Sequence, residues 1–239
     1  MKIAMETKHF LIIDDFLADD EFSELMQFIY REKFKFIQIG HFNKVYRLSD
    51  GNPIEGRVVL SKSTISNQIP DVFSYPSSTP IDKLIEKISD FNDKKSIVGE
   101  EGKDWEYFSA KPIVYPVNSG ISWHTDHKDV TGAYTFYCHP FWDVHWSGEI
   151  CLSNVHVSVF DKIEKENTGS NVSTYKKSLY DDSAVNYVLQ NLGGLGTYVI
   201  PRPNRIVFLK AGYFHKVQKV SPEAGDRNRS TITGFFVKS

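Results

Sequence analysis

From Trp105 to the C-terminus the sequence breaks into short aromatic and β-branched runs divided by Gly, Pro and Asn, and this texture limits the possible folds most strongly. The runs are Trp105–Tyr115, Ile121–Thr125, Ala133–Cys138, Glu149–Ser153, Thr197–Ile200, Arg205–Leu209, Tyr213–Val220 and Arg229–Val237. Many short strands with frequent turn signals expose unpaired edges unless they close on themselves, so a barrel or double-sheet jelly roll is expected. Seventeen Phe, twelve Tyr and four Trp suit such pleated surfaces.

The first part of the chain reads as mixed α and β. His9–Ile13 and Val58–Ile65 are predicted strands, and Phe34–Ile39 alternates. Asp19 or Asp20 is expected to cap a helix running to Lys33, with Phe22, Leu25, Met26 and Ile29 on one face. Thr79-Pro80-Ile81-Asp82 combines an N-cap, a proline at the first helical position and an acidic residue three beyond the cap. Ile81, Leu84, Ile85 and Ile88 then supply an apolar stripe. Both helices are expected to buttress a sheet. The polar stretch Asn92–Lys103 marks the change of texture, and Asp161–Asn191 interrupts the later strands. That Ser/Asn/Lys-rich stretch, with a possible helix around Asp182–Leu189, reads as an insertion or lid. The glycines of Asn191–Gly196 lead into a strand instead of opening a helix, which argues against a phosphate loop. The expectation is one domain over 1–239, mainly β (α+β): an α/β support over 1–103, and a jelly-roll core over 104–239 with the insertion 161–191.

A net charge of -2 with no basic block gives no footprint for nucleic acid. Cys138 and Cys151 cannot make a disulfide framework and read as buried thiols in a reducing compartment. The apolar run Phe10–Ile13 is too short for a signal-peptide core, and no stretch approaches the roughly 18 apolar residues that span a bilayer. A cytoplasmic protein without a membrane partner is expected; no pattern bears on oligomeric state.

The chemistry centres on Tyr115-Pro116-Val117-Asn118-Ser119-Gly120-Ile121-Ser122-Trp123-His124-Thr125-Asp126. Residues two apart on an extended chain share a face, so His124 and Asp126 can serve one ion. His215, from another strand, would complete two His and one carboxylate on one face, leaving positions open opposite, as in non-haem Fe(II) oxygenases. With eight His and thirty acidic residues, a His-x-Asp pair also arises by chance, and a surface His beside an Asp is the bland alternative.

The run from His215 through Arg229-Ser230-Thr231 to Phe235-Phe236 resembles the closing strands of the 2-oxoglutarate/Fe(II) dioxygenases, specifically the prolyl-4-hydroxylase-like group. There the distal His heads one strand, and an Arg-x-Ser/Thr pair on the next holds the co-substrate before an aromatic pair. Tyr115, Gly120, His124 and Asp126 resemble the family's Tyr and Gly before the metal pair. Trp142 to Ile150 is similar to a segment that usually ends Gly-Gly-Glu-Leu. The match spans about Tyr115 to Val237, interrupted by the insertion.

The resemblance implies that His124, Asp126 and His215 bind iron and that Arg229 bridges the far carboxylate of 2-oxoglutarate, with Thr231 and Tyr115 donating hydroxyls to it. A planar guanidinium suits bidentate carboxylate binding and stays charged in a partly dry barrel. Arg227, two residues earlier on the same face, stays open as a rival, since the linker from His215 is longer than usual. The implied reaction uses Fe(II), 2-oxoglutarate and O2 to hydroxylate an unactivated C–H bond, releasing succinate and CO2. With Asp126 present hydroxylation is the default outcome, beside desaturation or cyclisation. A small molecule, an amino acid or biosynthetic intermediate, is the expected substrate; a peptidyl-prolyl or protein hydroxylase is the alternative. A cupin-like metal-binding protein without oxygenase activity is a third reading, and it has no use for the Arg229-x-Thr231 clamp. His127 should point away from the metal pair; His139, His145 and His156 read as structural or pocket residues. Trp142 and Trp146 either line the substrate entrance or cover the barrel. Arg202 and Arg205 read as solvated surface charges.

Overall fold

A computed structural model describes residues 1–37, 46–63, 71–126, 128–159, 186, 189–191 and 194–238. His127, nearly all of the 161–191 insertion with its possible helix, and the ends of the Phe34–Ile39 and Val58–Ile65 runs lie outside the described residues. The N-terminal part contains β1 (Lys2–Glu6), β2 (Phe10–Asp14), α1 (Asp19–Arg31), β3 (Lys35–Phe36), β4 (Ile54–Glu55), β5 (Val58–Leu60), β6 (Val72–Ser74), α2 (Ile81–Asp90) and α3 (Lys95–Val98). There follow β7 (Tyr107–Tyr115), β8 (Ile121–His124), β9 (Val130–Tyr137), β10 (Ile150–His156), β11 (Gly196–Val199), β12 (Ile206–Lys210), β13 (Tyr213–Val217) and β14 (Arg229–Val237). Each of the later elements falls on an expected run.

The later strands divide between two antiparallel sheets. One carries the order β12-β9-β14-β7, extended by β2 and β1 at one side and by β4 and β3 at the other; the second has the order β11-β10-β13-β8. The chain changes sheet at nearly every step, which is the strand path of a jelly roll. The short β5–β6 pair, joined to β7, is parallel.

Strand periodicity gives the larger sheet two apolar faces. On the outer one, Phe108, Phe136, Phe208, Ile232 and Phe236 share a core with Leu25 and Ile29 of α1 and with Leu84, Ile85 and Ile88 of α2. Each fully buried side chain of this kind contributes about 1.5–3 kcal/mol, so the helices act as buttresses. On the inner face, Tyr137, Val207 and Leu209 meet Ile150, Leu152 and Val199 of the smaller sheet.

Several local expectations need correction. The N-cap of α1 is Ala18, whose N–H donates to Glu21 Oε2 at 3.1 Å, so Asp19 and Asp20 sit in the first turn beside the positive end of the helix dipole. Thr79 does not cap α2: its hydroxyl pairs with Ser77 Oγ, while the Asp82 carboxylate accepts the N–H groups of Ser77 and Ser78. The negative charge of Asp82 makes it the stronger acceptor for that turn. Arg202 and Arg205 are not free surface charges. Both grip the buried Asp14, with Arg205 Nε 2.6 Å from Oδ1 and Arg202 Nη1 2.9 Å from Oδ2. Burial raises the Asp14 pKa, but the bonds and charges of Arg205 and then Arg202 outweigh it and hold the carboxyl below its usual range. Among the described residues no helix is long and apolar enough to cross a membrane.

Candidate active site

The smaller sheet brings the predicted triad together. His215 on β13 lies directly opposite His124 on the neighbouring β8, with ring centroids 4.2 Å apart. Asp126 follows just past the end of β8. One ligand atom from each of His124, Asp126 and His215 lies within 4.8 Å of the others, and His215 Nε2 is 3.7 Å from Asp126 Oδ1. Nδ1 of each imidazole lies against a backbone carbonyl, Ser122 O at 2.8 Å for His124 and Tyr213 O at 3.0 Å for His215. Donation there leaves the Nε2 lone pairs for a metal, a common way to orient ligating histidines.

Burial, reinforced by His215, drives the His124 pKa well below the ordinary imidazole value, so this ring is neutral near pH 7. Burial raises Asp126, with His215 opposing. Asp126 Oδ2 is buried with no hydrogen-bond partner among the described residues. Such an oxygen is costly unless a cation satisfies it, and two imidazoles with one carboxylate suit Fe(II). Asp50 steadies β8 from behind: it accepts from Ser122 Oγ at 2.6 Å and from Arg47 N at 2.8 Å, and its carbonyl takes the Gly120 N–H. Nothing in the sequence spacing marked Asp50.

The larger sheet supplies a second site. Arg229 opens β14 opposite Tyr115. Its side chain is only 1% exposed, with Cζ 5.0 Å from the ring centroids of both Tyr115 and Tyr137. Nε donates to Gly148 O at 2.7 Å, whereas Nη2 and the Tyr137 hydroxyl are buried without hydrogen-bond partners among the described residues. Among the described residues the guanidinium bonds a carbonyl and lies over two rings, with no carboxylate paired to it. Gly148 is required at this point: its φ is +80°, and an added Cβ would lie 3.0 Å from Arg229 Cδ. Ser147 also has a positive φ of 57°, matching the paired glycines expected there.

Tyr115 Oη is 3.0 Å from Tyr46 Oη, and burial raises both phenols, so both stay protonated. Thr231 lies on the expected face, but its hydroxyl donates to Ile113 O at 2.9 Å and is committed to the sheet. Arg227 precedes β14, has a side chain 67% exposed and pairs with Asp226, so it is no part of this pocket. Tyr46 and Tyr137 were not found from the sequence; the odd-numbered face of β9 was the available signal for Tyr137.

His124, Asp126, His215, Tyr115 and Arg229 line one cavity of about 460 Å³. That lies within the roughly 300–1,000 Å³ of small-molecule sites. His139, His145 and His156 do not line it. His139 sits between the carbonyls of Ser230 and Pro201, and burial lowers its pKa to about 4. Trp142 is buried beneath Trp146 and donates to Ser147 O, which supports the turn that presents Gly148.

No family model and no curated protein matches the sequence. Solved structures do match in fold. A prolyl-4-hydroxylase from Pseudomonas putida superposes with a TM-score of 0.59 at 12% identity, covering 96% of this chain and 94% of that one. A prolyl hydroxylase from Trichoplax adhaerens, in complex with a hypoxia inducible factor oxygen degradation domain peptide fragment, gives 0.58 at 14% identity, covering 97% and 84%. A 2OG-Fe(II) oxygenase family oxidoreductase from Burkholderia pseudomallei gives 0.52 at 9%, covering 97% and 86%. The fold is therefore the one shared by prolyl hydroxylases and 2-oxoglutarate–Fe(II) oxygenases.

Proposed function

We propose that the chain is an Fe(II)- and 2-oxoglutarate-dependent oxygenase that hydroxylates an unactivated C–H bond of a small molecule. The observation that carries this reading is the pairing, across one cavity, of a metal triad with a buried guanidinium whose Nη2 has no hydrogen-bond partner among the described residues. A metal-binding protein of another kind has no reason to bury such a cation there at a cost of several kcal/mol.

On this reading Nε2 of His124, Nε2 of His215 and the Asp126 carboxylate hold iron. Arg229 Nη2 and the Tyr137 hydroxyl, both buried donors, the guanidinium lying over the Tyr137 ring, take the far carboxylate of 2-oxoglutarate. Tyr115, kept protonated by burial, adds a third donor and a wall that excludes water. Thr231 acts indirectly, pinning β14 to β7 so that Arg229 enters at the right height. Bound iron with 2-oxoglutarate and O2 supplies the oxidising power for hydroxylation, with release of succinate and CO2. The shared fold supports the class. The peptide held by the Trichoplax protein keeps a protein hydroxylase as the second reading.

Anaerobic addition of Fe(II) and 2-oxoglutarate should produce the weak visible charge-transfer band of the chelate. His124→Ala should abolish it and Arg229→Ala should weaken 2-oxoglutarate binding. A wild-type protein that binds neither species removes the oxygenase reading. Succinate release with free metabolites, against none with prolyl peptides, separates the two substrate classes.

A further inference from the structure

His124 sits on a strand with ladder support on one side. Among the described residues β8 is the edge strand of the smaller sheet, with β13 as its neighbour. Ile121 pairs with Val217 and His124 with His215, so β8 carries one more residue than β13 between those pairs. That is a bulge at Ser122 and Trp123, and the ligand needs it. Ile121 and His124 both line the cavity although they are three apart, a spacing that strict alternation would put on opposite faces. A bulge re-aims a side chain but disrupts the local ladder, and an edge strand has no second neighbour to make up the loss.

The segment Tyr46–Asn52 takes that neighbour's place. Tyr46 Oη meets Tyr115 Oη at 3.0 Å, where the connection from β7 to β8 begins. Further along, Asn52 N donates to Ser119 Oγ at 2.9 Å and Gly120 N donates to Asp50 O at 2.9 Å. Ser122 Oγ, inside the bulge, donates to Asp50 Oδ1 at 2.6 Å. Gly51 permits the close approach: its φ is +82°, and a Cβ there would lie 2.5 Å from Asn118 O. Asp50 itself is only 2% exposed. A buried carboxylate is costly, and a neutral side chain could fasten a loop. What sets this place apart is the next bond in line, from His124 Nδ1 to Ser122 O at 2.8 Å.

We infer that Asp50 is a positioning residue for the metal centre, holding Ser122 so that its carbonyl fixes the His124 ring with Nε2 toward the ion. The inference rests on the oxygenase reading for the identity of that ion. Asp50 grips Ser122 by its hydroxyl and Gly120 by its N–H, on either side of Ile121, so the backbone entering the bulge is set before the ligand. The Ser122 carbonyl then selects the His124 tautomer that leaves the Nε2 lone pair for the metal. The result is a carboxylate–serine–histidine line, one residue longer than the direct carboxylate–histidine contacts that orient many ligating imidazoles. A negative charge in this water-poor interior also favours a dication nearby.

The test is calorimetric titration of the metal-free full chain with Co(II), a redox-stable probe, together with the visible ligand-field bands of the bound ion. Asp50→Ala should weaken Co(II) by about ten- to hundredfold, the usual cost of losing a group that orients a ligand, and should shift the bands. Ser122→Ala removes the same link by one oxygen atom, should act in the same direction, and carries the test if Asp50→Ala fails to fold. The double variant should bind no more weakly than Asp50→Ala, since both changes cut one line of contacts. Asp14→Ala destabilises the fold through a residue outside the cavity and should leave Co(II) affinity and bands unchanged. Wild-type affinity and bands in both single variants, or additive losses in the double, overturn the inference. An equal loss in Asp14→Ala overturns it too, by showing that affinity merely follows stability. A wild type that binds neither Co(II) nor Fe(II) removes the oxygenase reading and the inference with it. Normal metal binding without the 2-oxoglutarate chelate band removes the oxygenase reading alone.

Discussion

Replacing Arg229 with methionine removes a cation from the interior while keeping much of the stem's volume, and the surrounding contacts set the expected size of the effect. The protein loses the bond to Gly148 O at 2.7 Å, about 1.5–3 kcal/mol for a charge-assisted hydrogen bond. It also loses two cation–ring contacts at 5.0 Å, about 0.5–2 kcal/mol each. Against this, relief from burying a guanidinium with no counter-charge among the described residues is worth several kcal/mol. The two sides offset, so stability without co-substrate should change by no more than about 2 kcal/mol. For a chain of this size that is a shift in Tm of about 8 °C or less. Binding of 2-oxoglutarate should suffer far more: two charge-assisted bonds are worth about 3–6 kcal/mol, which is at least a hundredfold in Kd. Thermal melts with and without 2-oxoglutarate, together with anaerobic calorimetry, measure both quantities on one preparation. A variant that melts more than about 10 °C lower on its own, yet binds 2-oxoglutarate as the wild type does, would show Arg229 to be a structural strut and refute the reasoning.

Three further outcomes are expected. Gly148→Ala should destabilise by about 1–2 kcal/mol through its left-handed backbone and also weaken 2-oxoglutarate binding, because the new methyl meets the Arg229 side chain at 3.0 Å; equilibrium unfolding and the same titration check it. Asp14→Ala should cost about 3 kcal/mol by leaving the mostly buried Arg205 without its carboxylate, while the half-exposed Arg202 keeps Asp15. The folded pKa of Asp14 is depressed, so the wild-type advantage should be full above about pH 4 and shrink as pH falls further, in urea unfolding at stepped pH. Lys94 is buried, donates to Ser89 O in the last turn of α2 and to Phe91 O just past it, and has its pKa lowered by burial to about 8. Its unfolded form binds more protons between about pH 8 and 10.4, so its contribution should rise with pH, and the stability gap to Lys94→Met should be wider at pH 10 than at pH 7.

The strands after Trp105 were legible because each carries its own alternation, and buried alternation is a local property of a few residues. The triad was legible for a similar reason: a spacing of two fixes His124 and Asp126 on one face whatever surrounds them. The difference between Arg229 and Arg227 was not, since both have the same parity; Arg229 is buried where β14 begins opposite Tyr115, while Arg227 lies exposed before it. Tyr46, Asp50 and Tyr137 lie far in sequence from what they touch, and only the register across β7, β14 and β9 brings Tyr137 to Arg229. Thr231 kept its predicted face but not its predicted partner, because the sheet carbonyl of Ile113 took its single proton. β1 escaped notice because all five of its residues are exposed, leaving no alternation to read.

The opposition of His124 and His215 on adjacent strands has a bearing on how the chain reaches its native pairing. β13 is irregularly registered against both neighbours, after Leu152 on one side and between His215 and Val217 on the other. Strands of uneven register are prone to slip, and a slip of one residue would turn His215 outward and offer Phe214 or Lys216 in its place. Only the correct alignment presents both imidazoles to an ion. A divalent cation would therefore favour that alignment over its near competitors by mass action, acting as a proofreader of strand assembly before it takes any part in turnover.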